Sequence, residues 1–174
     1  MLKWIGVICV LAGCIGLGVY QSYLVKLRLE NLADLKRSLI CLRGEIEFGR
    51  TPLPEAFSCL GRRSHGDVSV FFQKLSRKLI PGTTQGNSMA ELWEEAAKET
   101  FVSKTLAAKD FKEWLELGQT IGYLDSKMQV DTINLYIERL EQSLETGREE
   151  KSAKVRLYNL LGVMAGVFIT IMIL

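Results

Sequence analysis

With 174 residues, 24 % charged and 48 % hydrophobic side chains and a formal net charge of +2, the chain can form one domain of ordinary size and lacks the cationic excess of a nucleic-acid binder. Its single histidine and four scattered cysteines build neither a zinc spacing nor a disulfide framework. No phosphate loop, dinucleotide fingerprint or metal motif occurs, so no cofactor and no small-molecule substrate is expected.

The apolar residues are unevenly spread. Residues 4–25 carry no charged side chain, and neither do residues 157–174. As helices at about 1.5 Å per residue they would measure roughly 33 and 27 Å, against a hydrocarbon core of roughly 30 Å. Both read as transmembrane helices, with glycines (Gly6, Gly13, Gly16, Gly18, Gly162, Gly166) that let helices approach closely in lipid. Within the first run, Leu11-Ala12-Gly13-Cys14 has the small-residue pattern of a lipoprotein cleavage site, which would make Cys14 a lipidation site and turn the domain outward. The residues after Cys14 stay apolar where a mature lipoprotein turns polar, which favours a span.

Leu32, Leu35, Leu39, Leu42 and Ile46 then recur at spacings of three and four, one seam along a helix. Glu45-Ile46-Glu47-Phe48-Gly49-Arg50-Thr51-Pro52-Leu53 reads as a stiff corner: Gly49 closes the first helix, Thr51 caps the next, and Pro52 takes its first position. The second helix has Leu53, Ala56, Phe57 and Leu60 on one face, and residues 61–66 read as a loop. Asp67 is the expected cap of a third helix with Val68, Phe71, Phe72, Leu75 and Leu79 apolar. Residues 81–87 break the chain. Ser88-Met89-Ala90-Glu91 is a capping box before Leu92, Trp93, Ala96 and Ala97. A fifth helix holds Phe111, Trp114 and Leu115 and ends at Gly118. Gly122 and Asp125 lead into a long last helix with Ile133, Ile137, Leu140 and Leu144 on one side.

The fold expected is all-α: a six-helix bundle at 26–156 between transmembrane helices at 4–25 and 157–174. Lys26, Arg28, Lys36 and Arg37 follow the first span, and Arg148, Lys151, Lys154 and Arg156 precede the second. The positive-inside rule therefore puts the bundle in the cytoplasm of a double-pass protein.

No catalytic constellation emerges, and no enzyme is expected. His65 lies in a loop near Cys59, with no orienting partner for a nucleophile pair. Charge is zoned instead. Arg50, Arg62, Arg63, Lys74, Arg77 and Lys78 fall in the second and third helices against Glu55 and Asp67, while the next two carry Glu91, Glu94, Glu95, Glu99, Asp110, Glu113 and Glu116 against Lys98, Lys104, Lys109 and Lys112. Such polarity can orient a docking module on partners, and Arg62, Arg63, Arg77 and Lys78 are the expected partner-binding residues.

The order of these features resembles the stage III sporulation protein AB family of endospore-forming bacteria. The resemblance rests on Leu32, Leu35 and Leu39; on Glu45-Ile46 with the aromatic Phe48; on Gly49, Thr51, Pro52 and Leu53; on Phe72 and Leu75; and on Leu117-Gly118-Gln119-Thr120-Ile121-Gly122 with Asp125. It covers almost the whole chain, and that family in turn is similar to the cytoplasmic domain of component F of type II secretion and type IV pilus systems. The resemblance implies a scaffold subunit of a channel-like complex between mother cell and forespore, in the mother-cell membrane. Its implied partners are a cytoplasmic secretion-type ATPase, other membrane subunits and the lipid bilayer, and self-association is compatible with it. It supplies no catalytic residues. Two alternatives remain beside it: a platform subunit of a secretion or pilus machine, which normally carries two copies of the domain, and a lipid-anchored extracytoplasmic protein.

Overall fold

Leucine spacing and helix-end chemistry together determine where the chain bends. The computed structural model describes residues 2–48, 51–80, 86, 88–101, 105–121 and 125–173; toward the ends, side chains are described at 13, 16–48, 151, 153, 155–158, 160, 161 and 164. The described residues form six helices: α1 (Leu2–Glu47), α2 (Leu53–Arg63), α3 (Gly66–Lys78), α4 (Met89–Thr100), α5 (Ala108–Thr120) and α6 (Ser126–Ile173). The expected count of two long and four short helices holds, with no strand among the described residues.

Contacts divide the chain into two units. One is Glu30–Glu145; the other joins Met1–Leu29 with Thr146–Leu174. The division falls inside the expected limits of 26–156. Residues just outside it pair with one another: a side chain at Gly147 would meet Leu29 Cδ2 at 2.6 Å, so α1 and α6 touch there. Among the described residues no helix is long and apolar enough to cross a membrane. Much of the two charge-free runs, Cys14 included, lies outside the described side chains.

In the unit Glu30–Glu145 the seam of α1 is buried as its spacing predicts: Leu32, Leu35, Leu39 and Leu42 are inaccessible, while Ile46 is half-buried. On α6, Ile133, Leu140 and Leu144 are buried, and Tyr136 takes the place expected of Ile137. Lys36 pairs with Glu141 at 2.6 Å and Arg43 donates to Asn134 at 2.8 Å. These two contacts set α1 and α6 antiparallel. The expectation that their seams share one core is met.

The short helices surround an aromatic cluster. Phe71 of α3 meets Trp93 of α4 at 4.9 Å and Trp114 of α5 at 5.3 Å between ring centres. Trp93 and Trp114 are 4.8 Å apart, and Phe57 of α2 lies 5.9 Å from Phe72. Centroid distances of 4.5–7 Å are those of favourable aromatic pairs, worth roughly 0.5–1.5 kcal/mol each beyond area burial. The Trp93 indole also donates Nε1–H to the Trp114 carbonyl at 2.9 Å.

Four local expectations need correction. Gly118 does not end α5; it is buried inside the helix, where an added Cβ would lie 2.2 Å from Trp93 Cδ1. Its lack of a side chain makes room for the indole. Thr51 does not cap α2, because its hydroxyl is committed to Glu45 Oε2 at 3.0 Å; the N-cap is Pro52, whose carbonyl accepts from Glu55 and Ala56. Residues 61–63 belong to α2 rather than a loop. Gly61 is buried against α3, where a Cβ would stand 2.8 Å from Gln73 Cγ. Asp67 lies in the first turn of α3, after a Gly66 whose φ of +54° suits only glycine easily, and accepts from Asn31 Nδ2 at 3.4 Å.

Two helix starts are as expected. Ser88 and Glu91 form the reciprocal capping box, with bonds of 3.2 and 3.0 Å. Asp125 Oδ1 accepts from the Met128 amide at 2.8 Å and so caps α6. Gly49 and Gly122 lie outside the described residues, as does most of the 81–87 break.

Glycine-to-alanine in a helix interior ordinarily gains about 1 kcal/mol of propensity. At Gly118 the clash with Trp93 outweighs that gain, because overpacking costs roughly 1–3 kcal/mol and sometimes more. Gly118→Ala is expected to lower the thermal midpoint of the full chain and to shift its tryptophan emission. The cost should shrink in a Trp93→Leu background; an equal cost there would show that the ring is not the obstacle.

Candidate functional site

Two successive turns of α1 present Asp34, Arg37, Ser38 and Cys41 at spacings of three and four, beside the buried leucine seam. The end of α2 and the turn after it bring Leu60, Arg63, Ser64 and His65 against this face. Between them lies a groove of about 360 Å³, lined also by Ile40. Its floor is stitched by a 2.8 Å hydrogen bond between the Ser38 and Ser64 hydroxyls. Ser64 is itself fixed by its backbone N–H, which donates to the Leu60 carbonyl.

The rim is ionic. Asp34 is the groove's carboxylate: Arg37 lies 3.3 Å from one of its oxygens and His65 Nδ1 4.0 Å from the other. The carboxylate is only 17 % exposed, whereas Arg37 is 77 % and His65 84 % exposed. Arg63 adds a further exposed cation. Buried Leu60 and exposed Ile40 thus line the groove beside three cationic or protonatable groups, Arg37, Arg63 and His65.

His65 thus lies near Asp34, a neighbour that sequence spacing did not reveal. Cys59 is half-buried on α2 and does not line the groove; Cys41 does, and is exposed. Among the described residues no group of three or more His, Cys, Asp or Glu side chains could hold a metal ion.

The four expected partner-binding residues do not form one patch. Arg62 and Arg63 lie just before α3, and Arg77 and Lys78 close it, so the pairs are separated by a 13-residue helix of roughly 20 Å. Arg62 is exposed and donates to Ser58 at 2.9 Å. Arg77 is also exposed. Lys78 is engaged within the chain, 2.8 Å from Glu95 and 3.0 Å from Glu99 of α4, and Lys74 reaches Glu99 at 3.1 Å. Burial works against the Lys78 charge, but hydrogen bonds and attraction from Glu95 and Glu99 overcome it and raise its pKa above the ordinary lysine value. Hydrogen bonds from Lys78 and Lys74 hold the Glu99 carboxyl below its usual range.

Six helices and no strand among the described residues, two of the helices long and antiparallel, define the chain as an all-α helical-bundle protein. Comparison with known proteins narrows this. The family model described as stage III sporulation protein AB matches residues 3–174, and the chain belongs to that family. Stage III sporulation protein AB of Bacillus subtilis (strain 168) is 24 % identical over 174 residues, all of both chains. A solved structure titled stage III sporulation protein AB (SpoIIIAB) superposes with a TM-score of 0.66 at 25 % identity, covering 73 % of this chain and 98 % of that one. The expected family and its all-helical fold are thus established.

The α3–α4 ion cluster yields a pH prediction. The Glu99 pKa is lowered on folding, so its contribution is present above the unfolded carboxylate pKa near 4.5 and is lost as pH falls through the lower folded value. The Lys78 pKa is raised, so its contribution is present below about 10.5 and is lost as pH rises past the folded value. Glu99→Gln is expected to cost roughly 0.2–1 kcal/mol at pH 7. The mutant and the parent should unfold at the same temperature once the pH is well below 4.5; thermal melts of the full chain across pH measure both.

Proposed function

We propose that this chain is a membrane-anchored, non-enzymatic scaffold subunit of a channel-like complex in endospore formation, whose helical body docks a cytoplasmic secretion-type ATPase. Membership of a sporulation protein family supports the setting. The anchoring is supported by the two charge-free runs, 4–25 and 157–174, and their cationic inner flanks. In the unit that contains both, Leu17, Val19, Leu157, Leu160, Leu161 and Met164 are all more than half exposed, as lipid-facing side chains would be. Tyr20 and Tyr23 are exposed near the end of the first run, where an aromatic belt belongs.

The observation that carries docking is the cationic end of α2. Arg62 and Arg63 are exposed there beside a groove that Leu60 and Ile40 line and to which Arg37 and His65 also belong. Apolar anchoring gives affinity, and the surrounding cations select an acidic partner surface and speed encounter. Other membrane subunits of the complex would meet the spans.

Two experiments test this reading. Arg62→Glu with Arg63→Glu should reduce co-purification of the ATPase at least tenfold while leaving the thermal midpoint of the chain unchanged. Arg77→Glu tests the far end of α3 without breaking the Lys78 clamp. Undiminished capture by both variants would remove the basic surfaces from the docking model. For orientation, exposed Cys41 should react with a membrane-impermeant maleimide in inverted vesicles and stay unlabelled in intact cells. Labelling from outside the cell would reverse the topology.

A further inference from the structure

In the unit formed by Met1–Leu29 and Thr146–Leu174, a second cavity of about 170 Å³ opens between α1 and α6. It is lined by Val25, Arg28, Leu29, Gly147 and Tyr158. Gly147 brings the helices close at one wall: a Cβ there would stand 2.6 Å from Leu29 Cδ2, so the leucine would have to shift. The composition of the cavity is selective. One guanidinium and one phenol are set among aliphatic side chains, too small a space for a drug-sized ligand, which occupies roughly 300–1,000 Å³.

Its position in the sequence is informative. Val25 is the last residue of the first charge-free run, and Tyr158 is the second residue of the other. The cavity therefore forms where uncharged helix meets the first cationic residues on both strands of the hairpin. We infer that it binds the phosphate of an anionic phospholipid headgroup, with Arg28 and Tyr158 as donors and Val25 and Leu29 against the start of the acyl region. This rests on the reading of residues 4–25 and 157–174 as bilayer spans. Arginine presents a planar fork matched to phosphate oxygens, and the tyrosine hydroxyl supplies a third donor. With Arg28, Lys26, Arg148, Lys151, Lys154 and Arg156 stand nearby in sequence against Glu30, Glu145, Glu149 and Glu150, an excess that favours anionic over zwitterionic lipid.

The test uses the full chain purified in detergent. Native mass spectrometry measures retention of phosphatidylglycerol and phosphatidylcholine, with and without inorganic phosphate as competitor, beside carbonate extraction of the same variants from membranes. Phosphatidylglycerol should be retained at least fivefold over phosphatidylcholine. Arg28→Gln should abolish that preference and Arg28→Lys should keep most of it. Should Arg28→Gln lose helicity, Val25→Trp, which fills the cavity, and Tyr158→Phe carry the test, each with at least a twofold loss expected. Undiminished preference in these variants overturns the site. Displacement by equimolar inorganic phosphate overturns the lipid assignment in favour of a free anion. Carbonate extraction of the parent chain would bring down the membrane reading and this inference together; loss of preference with extraction resistance intact would support both.

Discussion

The contact between Gly118 and Trp93 is the constraint around which the short helices are arranged. The Trp93 indole comes closer to the α5 backbone than any Cβ would allow, and α5 permits this at Gly118, one turn after Trp114. With Trp93 seated there, its Nε1–H reaches the Trp114 carbonyl, and its ring faces come within reach of Phe57, Phe71 and Phe72. Aromatic side chains from four helices thus share one centre, and close packing of this kind tolerates little change in volume. The α2–α3 pair repeats the device at Gly61, which lets Gln73 approach its backbone.

Around that core, charge serves two separate purposes. The basic end of α3 and the acidic face of α4 neutralise one another through Lys74, Lys78, Glu95 and Glu99. Much of the charge zoning is therefore internal to the fold, an alignment device for adjacent helices. The basic end of α2 is different. Arg62 and Arg63 are exposed, and the nearby groove adds Arg37 and His65 around a single carboxylate. There the exposed cations outnumber the one carboxylate among them, Asp34.

Family membership and physical role are not the same property of a motif residue. Phe48, part of the corner motif, is 84 % exposed, the most exposed of the large apolar side chains described, whereas Gly118 is buried. Thr51 matches the family pattern, yet its hydroxyl secures the end of α1 through Glu45 and leaves the cap of α2 to Pro52. A pattern match states that a residue type belongs at a position. It does not state which neighbour requires it there.

By itself the sequence determined the helical class, the six elements, the leucine seam of α1, the capping box at Ser88 and the cap at Asp125. These follow from interactions within about four residues along the chain, which spacing reveals directly. The family was legible as well, because its signature is an order of such local features. Only the tertiary structure decided that Gly118 receives an indole, that Lys78 belongs to α4, and that Asp34, Cys41 and His65 share a groove with Arg63. Each of those facts joins one helix to another across more than 15 positions, and nothing in helical periodicity carries information over that distance.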